Sequence, residues 1–467
     1  MEAYVQKHEL GDGDPPKTHD TLHTSFIPIV FIPGVMGSRL DIPGGSDWDP
    51  DYTPSMAGWL GCSARAGRID LSVTLRPNVT IIKELSNYTY TAKAQDAQSE
   101  IKADTELMQV AARFGKKTPD EVISLYQDRG WGGLAWGFYG PILRYLEKQF
   151  NHPNHNAAGV HPVYAYGYDW RKSNAVSAAG LVKRVEAILK EWPKAKKVLI
   201  VTHSMGGLVA RYACAKLGLS SSAVGVVHVV QPSNGAIAAY RRFFTGCVAA
   251  FDNDGDSQLN NILGSTWWKY LAYLSGLPGP MQLMPNHRYH QGGSSGFTLS
   301  TANWLTTKPQ VELSNIYSVY GGTEPPGVVR QSSELPTFGW ALGPISSIWD
   351  SEILPELRAR IAEAKKFHTE LEDAAHPKTY ALFSNGLQTD DHVDWTKTEE
   401  SDRFIQKQAG DGTVPSKSGA CLGLKGLIES AQFTGGAHLG HSEVFQNEKV
   451  NDKVHQYVYA LLATEAP

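Results

Sequence analysis

Cysteine is scarce in this chain: Cys62, Cys214, Cys247 and Cys421 are all there is in 467 residues. They are widely spaced and form no C-x-x-C pair, which argues against a metal knuckle or a disulfide scaffold. Cys214 falls within a helical pattern, where a buried free thiol is expected. An excess of one charge is also missing. The 43 Lys and Arg stand against 47 Asp and Glu, a formal net charge of −4. That balance points neither to nucleic-acid binding nor to electrostatic attraction to a membrane. Long hydrophobic runs are absent. The longest apolar stretch, near residues 26–36, is too short to span a bilayer and contains two prolines. The opening MEAYVQKHELGDGDPPKTHD is polar and carries acids, without the apolar core of a signal peptide. The expectation is a cytoplasmic protein, or one exported by a signal-independent route, that meets membranes only through its surface. The sequons at Asn78 and Asn87 then read as chance matches. No internal repeat or low-complexity run stands out.

What is present suits a globular protein: 42% of residues are apolar and 19% charged. The length fits one large domain with insertions or two domains. Residues 1–25 read as a loose leader, followed by one domain over 26–467. Residues 27–32, I-P-I-V-F-I, read as a buried strand. Further strands are expected at 162–167, 198–203, 226–230, 378–384 and 430–434. Helices are expected near 97–114, 139–150, 176–192, from 206 to about 217, and 446–463. The helix at 176–192 carries Leu181, Val182, Val185, Ile188, Leu189 and Trp192 on one face. Strands alternating with helices imply an α/β protein, its mostly parallel sheet covered by helices on both sides. The pattern breaks down over about 45–137 and 235–375, which read as two insertions forming cap and lid. Nine of the 12 tryptophans fall there. Most fit the core of a cap, and a smaller set fits an acyl-chain groove or a lipid interface.

The strand V-L-I-V-T-H at 198–203 runs straight into Ser204-Met205-Gly206-Gly207. A buried strand, a serine at a sharp turn and small residues opening a helix make a nucleophile elbow, the serine-presenting device of ester hydrolases. The turn lifts the hydroxyl above the strand ends, and the helix opens with free N–H groups facing the site. The usual pentad is G-x-S-x-G. Thr202 stands at the first glycine, so either the elbow is slightly opened or its Cβ sits in a small notch. Neighbouring His203 should point away and serve packing. In this fold class the acid and the histidine follow in chain order. Asp411, in Gly410-Asp411-Gly412-Thr413, follows a late strand. A lone Asp-Gly is a surface turn, but its place in the order makes Asp411 the candidate acid. Asp390, Asp391, Asp394 and Asp402 lie in a polar, hairpin-like stretch and read as solvated. After the last strand two histidines compete: His441, directly before the closing helix, and His438 as the alternative. A metal pair of the two lacks further ligands at suitable spacing. The Pro33-Gly34-Val35-Met36 loop should supply one oxyanion donor, the N–H of Val35, beside that of Met205. The acidic loop at 252–256 starts like a calcium loop but lacks its glycine at position 6 and its closing glutamate. No metal and no cofactor is implied.

Several separated motifs agree with one family. V-F-I-P-G-V-M-G-S-R-L (30–40), Y-D-W-R (168–171), H-S-M-G-G-L-V-A-R (203–211), Q-L-M-P-N (282–286), Y-A-L-F-S-N-G-L-Q-T (380–389) and G-D-G-T-V-P (410–415) occur in order. Together they resemble the lecithin:cholesterol acyltransferase and lysosomal phospholipase A2 family, in a bacterial-type form. The resemblance implies an α/β-hydrolase fold with cap and lid over a lipid cleft. It implies Ser204, Asp411 and His441 as a triad and Val35 and Met205 as the oxyanion pair. Asp169 and Arg171 become structural or cleft-rim residues. The implied activity is a serine-dependent phospholipase A or lipase, with acyl transfer to an alcohol as a variant, acting on lipid at a membrane or micelle surface. A carboxylesterase for small esters, and a non-catalytic lipid-binding protein on the same scaffold, are the alternatives.

Overall fold

Four apolar residues in a row make Ile29–Ile32 (β1), and all four are buried. In a computed structural model, which describes residues 25–40, 48–51, 94–154, 159–246, 266–289, 304–335, 346–347 and 349–465, five further strands join it. They are Val163–Ala165 (β2), Val198–His203 (β3), Ala223–Val229 (β4), Thr379–Ser384 (β5) and Leu427–Phe433 (β6). All pairings are parallel, in the order β6-β5-β4-β3-β1-β2. A strand buried on both faces has no need of polar alternation, yet its side chains still part by turns. Ile29, Phe31, Leu199 and Val201 enter one core cluster, and Val30, Ile32, Val198 and Ile200 the other. Each such fully buried side chain contributes about 1.5–3 kcal/mol.

Helices cover both sides. Trp136–Asn151 (α1) and the closing Glu448–Ala463 (α5) pack on the Ile29–Phe31 side through Ile142, Leu146, Phe150, Val454 and Leu461. Asn174–Glu191 (α2) and Gly206–Lys216 (α3) pack on the other, α2 through Leu181, Val185 and Ile188. The expected parallel sheet with two helical layers is therefore the architecture that forms. The stretch expected as one helix near 97–114 is two, Ala94–Ala103 and Thr105–Arg113. Asp104 breaks it, because its extended backbone lets its carboxylate cap the second helix at Leu107 N–H.

The described residues of the long stretch between β4 and β5 pack into the core of the sheet. Ile237, Tyr240, Leu271, Trp304 and, from Leu354–Leu371 (α4), Leu357 and Phe367 belong to the same cluster as Val30 and Ile200. Leu305–Thr306 adds in parallel to Gln388–Asp394, which pairs antiparallel with Phe404–Gln408. This hairpin corrects one expectation: Asp390 and Asp391 are buried, not solvated. Arg241 Nη1 lies 3.0 Å from Asp390, while Lys417 and Lys407 lie 2.9 and 2.6 Å from Asp391. Burial alone would raise the Asp391 carboxyl, but the two lysines outweigh it and hold it below the usual range.

Cys214 is buried and free, as expected of it, and so is Cys421. The leader up to residue 24, both sequons, Cys62, Cys247 and the acidic loop at 252–256 lie outside the described residues. Among the described residues no helix is long and apolar enough to cross a membrane.

Candidate active site

β3 stops at His203, and α3 starts at Gly206. Between them Ser204 adopts φ 50°, a left-handed conformation that costs a non-glycine residue about 1–2 kcal/mol. The turn is held because Ser204 N–H donates to Val229 O at 3.0 Å. Small residues after it are required by contact: a Cβ on Gly206 would lie 2.4 Å from Pro33 O. Thr202 is accommodated rather than strained. It is fully buried, and its Oγ1 lies 2.8 Å from His228 Nδ1 on β4. The hydroxyl supplies a polar tie between β3 and β4 that a glycine could not.

The three residues expected to act together do meet. His441 Nε2 is 2.8 Å from Ser204 Oγ, and His441 Nδ1 is 2.6 Å from Asp411 Oδ2. Their relative exposures are 3% for Ser204, 2% for Asp411 and 9% for His441, so solvent screens these contacts little. The carboxylate is oriented by its own loop, since Asp411 Oδ1 accepts from Thr413 N–H at 2.9 Å and Val414 N–H at 2.6 Å. That leaves Oδ2 for the imidazole. A backbone bond from His441 N–H to Asp411 O, 2.9 Å, ties the two loops together. His438 is not brought into this line. It is exposed, with φ 60°, and pairs with Glu443 at 3.0 Å.

The Pro33–Gly37 loop lies directly over the serine. A Cβ on Gly34 would stand 2.9 Å from Ser204 Cβ, so only glycine fits. Surrounding groups hold the loop. Tyr168 O–H donates to Pro33 O at 3.1 Å, Tyr139 O accepts from Gly34 N–H at 3.0 Å, and Trp48 Nε1–H donates to Met36 O at 2.9 Å. Val35 and Met36 are half-buried. Among the described hydrogen bonds neither Val35 N–H nor Met205 N–H donates to a protein acceptor. Asp169 and Arg171 are fully buried in a two-pronged pair of 2.8 and 3.0 Å. Among the described hydrogen bonds none links either to the serine, whereas Tyr168 of that motif bonds to the loop.

His203 departs from its expected role as packing. Its ring lies 5.0 Å from that of His441, and both its nitrogens are hydrogen-bonded, to Tyr139 and to the His441 carbonyl, each at 3.0 Å. Burial first, then the neighbouring His441, keeps its pKa well below the usual range, so the ring is neutral. Tyr139 was not legible as a site residue: it is 105 positions from Gly34 and 64 from His203. A tyrosine inside a glycine-containing helix start was its only local mark.

The parallel sheet, the strained serine at the end of its fourth strand in spatial order, and the aspartate–histidine line behind it define an α/β hydrolase. A solved structure with this architecture is a chain of the Tle4–Tli4 complex, with a TM-score of 0.64 and 20% identity over 94% of this chain and 99% of that one. The lecithin:cholesterol acyltransferase family model matches residues 153–308, the segment holding β2, β3, the elbow and α3. The resemblance carried by the motifs therefore stands. The uncharacterized protein YJR098C of Saccharomyces cerevisiae is 32% identical over 113 residues, which are 24% of this chain and only 16% of that protein.

Proposed function

We propose that this chain is a serine-dependent lipid acyl hydrolase of the phospholipase A or lipase type, with water or an alcohol as acyl acceptor. The observation that carries the reading is the buried line Ser204–His441–Asp411, at 2.8 and 2.6 Å, beneath a loop that offers an unused amide at Val35. In this mechanism Ser204 Oγ attacks the ester carbonyl while His441 Nε2 takes its proton. Asp411 stays ionised, holds the Nδ1–H tautomer and stabilises the imidazolium. The carbonyl oxygen becomes an oxyanion facing Val35 and Met205 N–H, donors typically worth about 10²–10³ in rate each. His441 passes its proton to the leaving alcohol, and the acyl group stays on Ser204. Water or a second alcohol, deprotonated by His441, then releases it.

Support for a lipid rather than a small ester comes from the family match over 153–308 and from the aromatic core between β4 and β5, where Tyr240, Trp304, Tyr320 and Trp349 gather. We assign that stretch the role of cap, selecting the acyl chain. The test is incubation with mixed phospholipid vesicles, with and without an added alcohol, followed by lipid mass spectrometry. Free fatty acid and lysolipid are expected, with an acyl ester of the alcohol in its presence. Ser204→Ala should abolish turnover and fluorophosphonate labelling while keeping the melting temperature. Labelling that survives the substitution overturns the assignment of Ser204.

A further inference from the structure

Two buried polar side chains near the serine have no part in the proton transfers: Tyr139 on α1 and His203 beside the nucleophile. Their hydrogen bonds run in one direction. Gly34 N–H can only donate, so Tyr139 O must accept it and turn its own hydrogen to His203 Nδ1. The His441 carbonyl can only accept, so His203 must carry its hydrogen on Nε2. Both ends demand the same tautomer, and each of the three bonds measures 3.0 Å. We propose that Tyr139 and His203 are positioning residues that lock the oxyanion loop to the general base, through a three-bond chain from Gly34 N–H to the His441 carbonyl. The proposal rests on the acyl-hydrolase reading and deepens it.

The surroundings allow the pair little other choice. Phe445 stands 5.4 Å from the His203 ring and 6.2 Å from Tyr139, and Phe31 stands 5.3 Å from Tyr139. Inside this apolar fence, a polar group that loses its partner finds no water to replace it. The chain also crosses the molecule's parts. It starts on the loop after β1, passes through α1 on one face of the sheet, touches the elbow and ends on the loop before α5. Val35, the proposed donor, directly follows Gly34, and the His441 carbonyl belongs to the base itself. A shift of the loop and a shift of the imidazole are thus coupled through two side chains. The transition state needs both groups placed to within a fraction of an ångström.

The test separates the two arms. Tyr139→Phe removes the acceptor for Gly34 N–H. His203→Asn keeps an acceptor near Nδ1 but loses the donor to His441, and His203→Gln does the reverse. Each variant is expected to lower kcat at least about tenfold with KM within about twofold, a part of the about 10²–10³ lost with an oxyanion donor. The double variant Tyr139→Phe/His203→Asn should lose little more than the worse single, because one chain is broken only once. A structural role alone would instead lower the melting temperature with kcat intact, or multiply the two kcat losses. Either result overturns the proposal. If Tyr139→Phe does not fold, the two His203 variants decide: kcat retained within about twofold in both overturns it. Wild-type protein run alongside keeps the underlying reading separate. If it neither labels at Ser204 nor cleaves lipid, the hydrolase reading fails; if it does both, only the proposal is at stake.

Discussion

Replacing Asp411 by asparagine gives the sharpest check on the proposed chemistry, because the loop dictates how the new side chain must sit. Asp411 Oδ1 takes two backbone hydrogens, from Thr413 and Val414, and Oδ2 takes the imidazole hydrogen. In Asp411→Asn only the amide oxygen accepts, so it must occupy the Oδ1 place and leave its NH₂ facing His441 Nδ1. That NH₂ can only donate. Nδ1 must then become the acceptor, and the imidazole carries its hydrogen on Nε2, aimed at Ser204 Oγ. A base whose lone pair has been turned away cannot take the serine proton. The expected loss in kcat is about 10⁴-fold, the effect of a wrong tautomer in a serine triad. Because the asparagine still accepts the Thr413 and Val414 hydrogens, the melting temperature should change little. Asp411→Ala strands the buried Val414 amide and imidazole hydrogen and the half-buried Thr413 amide, and should add a destabilisation of about 1–3 kcal/mol for each buried group left unpaired. The assays are kcat on a chromogenic ester, fluorophosphonate labelling and thermal unfolding. Asp411→Asn with activity within tenfold of wild type would refute the assignment of Asp411 as the acid.

Thr202→Val should cost about 1–3 kcal/mol in urea unfolding, since it leaves His228 Nδ1 buried without its partner at 2.8 Å; an unchanged midpoint counts against the tie between β3 and β4. Stability should also fall on acidification. Burial pushes His161 down to about 4 and His228 and His368 each down to about 3. The unfolded chain takes up these protons near pH 6.5 and the folded one does not, so stability rises with pH between these limits. It is complete above pH 6.5 and is lost as pH falls towards 4. With three such groups the slope approaches about 4 kcal/mol per pH unit near pH 5. Urea midpoints at pH 7, 6 and 5 that do not fall would contradict it.

The parts of the molecule legible in the sequence are those set by local pattern. A run such as Val198–Val201 needs only its own composition to become an inner strand, and 3–4 residue spacing gave α2 within two residues of its observed start. The elbow was legible because its chemistry is contiguous. What escaped depends on distant partners. Asp390 and Asp391 look solvated until Arg241, from a helix about 150 positions earlier, and Lys417 arrive beside them. His438 and His441 share one loop, and a left-handed turn at His438, its pairing with Glu443 and the bond from His441 N–H to Asp411 O separate their fates. His203 reads as packing because its partners, Tyr139 and the His441 carbonyl, lie 64 and 238 positions away in the chain. Thr202 departs from the usual glycine of the pentad, and its bond to His228 Nδ1, a residue 26 positions on, is what accommodates it.

The apolar cluster that runs from Val30 and Ile200 to Tyr240, Trp304 and Phe367 has a consequence for redesign. A cap with its own core can be exchanged between relatives like a cartridge. Here the residues of the proposed cap share their core with the scaffold that carries the nucleophile. Excising the stretch would uncover apolar side chains of the shared cluster, with α2 and α3 still lying on the sheet, and grafting it elsewhere would expose its underside. Redesign of this stretch is therefore expected to succeed by residue-by-residue repacking that keeps the scaffold folded, rather than by exchange of a ready-made part.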